Sequence, residues 1–84
     1  MIGMNDVKRI LRAYGMKEEY TSSGVNILYC GNIAFRLIND YSYEYWPYHL
    51  QSSGTIVVCE SIEEASMAIL SEGLIALNRF KYEY

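Results

Sequence analysis

The sequence predicts a small α+β domain: an antiparallel sheet of three or four strands packed against an N-terminal and a C-terminal helix, in the order α-β-β-β-β-α. Three observations carry this. Apolar residues near the N-terminus recur at helical spacing, the middle of the chain alternates with period two between turn residues, and a helix-start signal stands at Ser61. With 84 residues, 51% hydrophobic and 20% charged, there is material for one core, so 1–84 reads as a single domain.

In the first helix, Val7, Ile10, Leu11 and Tyr14 fall at i, i+3, i+4 and i+7, one apolar stripe. Asn5 is placed to cap it and Gly15 to end it. Lys8, Arg9 and Arg12 lie off the stripe, as expected of a solvated face. A polar break at 21–24 leads into strands at 25–29 and 33–38, joined around Gly31-Asn32, residue types that tolerate positive φ. Val25, Ile27 and Tyr29 alternate on one strand, and Ile33, Phe35 and Leu37 on the other.

Asn39-Asp40 is a second turn signal, before a third strand at 41–45. Pro47 cannot donate to a ladder, so that strand ends by Trp46 or lies at an edge. Ser52-Ser53-Gly54 marks another turn, and the β-branched run 55–59 reads as a buried strand. Ser61 and Glu64 form a capping box for the last helix, with Ile62, Ala65, Ile69 and Leu70 facing inward. Gly73 either stops that helix or sits inside one reaching Phe80.

The net charge of −3 is unevenly placed. Residues 1–36 carry five bases (Lys8, Arg9, Arg12, Lys17, Arg36) and three acids (Asp6, Glu18, Glu19). Residues 37–78 carry six acids (Asp40, Glu44, Glu60, Glu63, Glu64, Glu72) and no Lys or Arg. Two cysteines do not make a disulfide scaffold, and no apolar run approaches the roughly 18 residues of a membrane span. A cytoplasmic protein with reduced thiols is the expectation.

Catalytic and cofactor patterns are not legible, and the expectation is a non-enzyme without cofactor or metal. Cys30, Cys59 and His49 are the only candidates for a thiol–imidazole pair, but Cys30 falls in the hairpin turn and Cys59 ends an apolar strand. Paired Cys or His ligand spacings and a glycine-rich phosphate loop are missing. Glu63 and Glu64 stand in the first turn of a helix, where they complement its dipole.

The α-β-β-β-α part of the order resembles the double-stranded RNA-binding domain in topology. That resemblance implies a basic helix start, and Ser61-Ile62-Glu63-Glu64 has the wrong charge for phosphate. Direct nucleic-acid binding is therefore disfavoured.

The remaining candidate is the aromatic row Tyr41, Tyr43, Tyr45, Trp46 and Tyr48. Strand alternation cannot bury all five, and tyrosine and tryptophan beside acids have the composition of an interface. The expectation is a partner-binding surface with Asp40, Glu44 and Glu60 supplying charge and Tyr43, Tyr45, Trp46 and Tyr48 supplying anchors. Its partner would be a protein with a basic, nucleic-acid-binding surface. In size, charge and lack of catalytic motifs the chain is similar in kind to small acidic inhibitors from phages and mobile elements, anti-CRISPR proteins among them. The alternative expectation is a homodimer in which the tyrosine-rich strand pairs edge to edge.

Overall fold

The computed structural model describes residues 2–50 and 54–82. Their order is α1 (Met4–Ala13), β1 (Lys17–Tyr20), β2 (Asn26–Cys30), β3 (Ile33–Asn39), β4 (Ser42–Pro47), β5 (Thr55–Val58) and α2 (Ile62–Tyr82). The strands make one antiparallel meander in sequence order, with the helices on one face. The expected α+β layout holds with one strand more, β1. The turn expected at Ser52-Ser53 lies outside the described residues. No helix among the described residues is long and apolar enough to cross a membrane.

α1 begins two residues earlier than the expected cap at Asn5 implied. Its cap is Gly3, whose N–H donates to Asp6 Oδ2 at 3.0 Å, and not Asn5. Val7 and Leu11 are fully buried, whereas Tyr14 is exposed because the helix has already ended there. Gly15, at φ +107°, donates to Arg12 O, and Met16 N–H donates to Leu11 O. This is a Schellman termination, and it carries Met16 into the core in Tyr14's place.

β1, Lys-Glu-Glu-Tyr, is an edge strand whose charges hid it in the sequence. Lys8 Nζ lies 2.7 Å from Glu18, and Asn26 Nδ2 donates to the same carboxylate at 3.0 Å. The Lys8 hydrogen bond above all holds the Glu18 carboxyl below its ordinary range, against the opposing effect of partial burial.

β2 and β3 meet through a two-residue turn with positive φ at Gly31 alone, the pattern of a type II′ turn. Cys30 is the last residue of β2 and points into the core; it does not lie in the turn. Register sets the faces: Leu28 pairs with Phe35, and Phe35 with Tyr45, on the helix side.

α2 runs through Gly73, and the reason is contact. A Cβ there would stand 2.9 Å from Leu11 Cδ2 and 3.3 Å from Cys30 Sγ. With Ala65, Ser66, Ile69 and Ala76 it forms a buried face of mostly small residues that brings α2 close to α1 and the sheet. Ile62, expected inside, is exposed in the first turn. Residues 11 and 73 meet, as do 15 and 77, so the helices run parallel with both N-termini at one end.

α2 packs mainly across β2 and β3. β5 is therefore not the buried strand that its β-branched run suggested. It is the second edge of the sheet, with Ile56 60% and Val58 71% exposed.

Candidate functional site

The expected partner-binding residues separate into three places. β4 has β3 on one side and β5 on the other, so alternate residues face the helices or the open side of the sheet. Tyr43 and Tyr45 face the helices. Tyr43 is 4% exposed and belongs to the core, which corrects its assignment to an exposed patch. Its ring packs 5.9 Å from that of Phe35, and Tyr45 completes the group at 6.3 Å from Tyr43. Burial raises the Tyr43 phenol above its ordinary range. These rings, with Val57 and Glu72, line a cleft of about 160 Å³ beside α2.

Glu44 and Trp46 face the open side. Glu44 is not a free acid: its Oε1 lies 2.7 Å from Arg36 Nε on the neighbouring strand. Trp46 pairs with Ala34 of β3, which is fully buried although no helix among the described residues covers that side. Tyr29, opposite Ala34 on β2, is on the same side. Tyr48 closes the group, its ring edge-on to that of Tyr29 with centroids 5.4 Å apart, and its N–H donates to Asn32 O. Tyr48 itself is 53% exposed. Burial, then the charge of Glu19, raises the Tyr29 phenol. Trp46, Tyr48 and Tyr29 thus form one aromatic surface near the β2–β3 turn.

Tyr29 is the member of this surface that sequence reasoning missed. It lies 19 positions before Tyr48, and only the pairing of β2 with β3 brings the two together. Its alternation with Ile27 was the available signal.

Asp40 and Glu60 stand at the other end of β4. Six residues of strand, roughly 20 Å, separate this end from Tyr48. Cys59 N–H donates to Tyr41 O there, holding Glu60 near the β3–β4 turn. Both helices start at this end, where Glu64 N–H donates to Ser61 Oγ and Glu64 Oε2 accepts from Glu60 N–H. Among the described residues Asp40, Glu60, Glu63 and Glu64 make no ion pair. Four acids without an ion pair among the described residues therefore gather at one end, while the aromatic surface has Lys17, Glu19, Arg36 and Glu44 around it in balance.

Interior placement of β4 also removes the expected edge-to-edge pairing through 41–45: both its edges are occupied from Ser42 to Tyr45. Pro47 comes where β5 no longer pairs, which is how a strand interior to the sheet tolerates it.

The thiols are deep. Cys30 is fully buried and its thiol is pushed up to about 12 by burial, and Cys59 is 7% exposed and also raised. Cys59 lies at the acidic end and His49 beyond the opposite end of β4, so these two do not form a pair.

No protein-family model matches this chain, no curated protein matches it, and no solved structure matches it.

Proposed function

We propose that the protein is a non-enzymatic binding module that docks on a basic protein partner, with anchoring and steering assigned to different places. Trp46 and Tyr48, backed by Tyr29, anchor the contact. They are rigid amphipathic rings on an uncovered sheet face, the residue types that dominate interface energetics. The acidic end, with Asp40, Glu60, Glu63 and Glu64 unpaired among the described residues, attracts the partner and orients it. A small inhibitor covering a nucleic-acid-binding surface of a host protein is one member of this class.

The single observation that carries this reading is the Tyr29–Tyr48 ring pair on the face that Trp46 shares, with Tyr48 exposed and Tyr29 and Trp46 half-buried. Capture from a host lysate on immobilised protein, followed by titration of the captured partner, tests it. Trp46→Ala and Tyr48→Ala are each expected to weaken binding about tenfold or more with unchanged circular dichroism. Unchanged affinity in both variants contradicts it.

A further inference from the structure

The two edges of the sheet are built differently. β1 carries Lys17, Glu18 and Glu19, charges that discourage another strand from pairing there. β5 is Thr55, Ile56, Val57 and Val58, all β-branched, with no charge, proline or glycine in the strand. It pairs with β4 on one side, and along its other side alternate residues present backbone N–H and C=O groups that no described element meets. Such an edge is a template for strand addition.

We infer that β5 pairs with β5 of a second copy of this chain, antiparallel about a two-fold axis through Val57, to make one continuous ten-stranded sheet. Face parity limits the registers, and side-chain chemistry selects among them. A two-fold axis perpendicular to the sheet keeps the open side of both copies together, so directly opposed residues must share a face. Ile56 and Val58 face the open side, with Glu44 and Ser42 their partners on β4. An axis at Val57 sets Ile56 opposite the second copy's Val58 twice, and Val57 opposite itself. Every strand residue then meets an apolar or small partner, Thr55 lying opposite Cys59. An axis at Ile56 would instead leave Val58 opposite Gly54, and one at Val58 would set Ile56 opposite Glu60.

Charge agrees with a second copy as occupant. Antiparallel pairing sends the acidic ends to opposite ends of the dimer and sets Glu60 opposite Gly54, where the neighbouring acid, Glu44, is already paired with Arg36. Pairing β5 with β1 of another copy would set an apolar strand against three charges and leave an open chain of subunits. A four-residue edge makes a small interface, so association is weak, with a Kd on the order of 10–100 μM.

Sedimentation velocity of the full chain between about 5 μM and about 1 mM tests this by mass action. The expected result is a monomer that becomes a dimer over that range. Ile56→Lys with Val58→Lys sets like charges opposite each other twice and is expected to weaken association about tenfold or more. Ile56→Lys with Val58→Glu sets opposite charges in the same places and restores it. Both positions are exposed, and circular dichroism checks that each variant is folded. Trp46→Ala leaves association unchanged, which separates this proposal from the partner-binding one. A monomer throughout the range overturns the inference, as does a double-lysine variant that associates like the native chain. If the lysine–glutamate variant associates no better than the double-lysine one, the register is wrong.

Discussion

Arg36 Nε and Glu44 Oε1 lie 2.7 Å apart across β3 and β4, on the open face of the sheet. One of the six acids in the base-free stretch is thus neutralised by a base from outside it. The aromatic surface next to it is charge-balanced; of the other five acids, Asp40, Glu60, Glu63 and Glu64 lie at the far end and Glu72 beside Tyr43 and Tyr45.

Glu44→Ala removes that pair. Both side chains are partly exposed, 36% for Arg36 and 25% for Glu44, so screening reduces its worth. Urea denaturation is expected to show a loss of about 0.5–1 kcal/mol, shrinking in high salt. A larger loss that salt does not change would mean that the pair is shielded from solvent.

Acid stability depends on Glu18. Its carboxyl is held below the ordinary 4.5, first by the Lys8 hydrogen bond and then by Asn26, against burial. A depressed folded pKa contributes stability that is present above the unfolded value and lost as pH falls through the folded one. Stability of the native chain should therefore decline as pH drops below about 4.5. Glu18→Gln should cost about 1–3 kcal/mol at pH 7 and flatten that decline. Urea midpoints measured from pH 7 to pH 3 check both.

Gly73→Ala sets two effects against each other. Alanine is the better helix former by about 1 kcal/mol. Its Cβ, however, would meet Leu11 Cδ2 at 2.9 Å and Cys30 Sγ at 3.3 Å, so the fully buried Leu11 side chain would have to shift. Overpacking is expected to win, with a net loss of about 1–2 kcal/mol in chemical denaturation. A more stable variant would show that α1 can shift away from α2.

Ser66 has the opposite sign. Its hydroxyl is buried in α2 without a hydrogen-bond partner among the described residues. Ser66→Ala removes an unsatisfied polar group and improves helix propensity, so a gain of about 1 kcal/mol is expected in thermal or urea melts. A loss would show that the hydroxyl has a partner in solution, such as a buried water.

Much of the fold was legible because periodicity and turn chemistry agreed. Gly31-Asn32 marked the hairpin, Asn39-Asp40 the next turn, and Ser61 with Glu64 the start of α2. β1 was not legible, since Lys17, Glu18 and Glu19 look like solvated loop until Glu18 is seen held by Lys8 and Asn26. β5 was read as buried from its β-branched residues, but burial depends on where α2 lies, and α2 covers β2 and β3. The candidate site was half legible. Alternation requires Tyr43 and Tyr45 to oppose Glu44 and Trp46, yet only the register against Phe35 decides which pair faces the helices.

Trp46 is the one tryptophan in the chain, so a fluorine label on its ring reports on the aromatic surface alone. The most direct measurement is the ¹⁹F spectrum of the 5-fluorotryptophan-labelled protein as a captured basic partner is titrated in. The account predicts a shifted or broadened Trp46 resonance that follows complex formation. A complex that forms while the Trp46 signal stays unchanged would contradict it and move the contact away from this face.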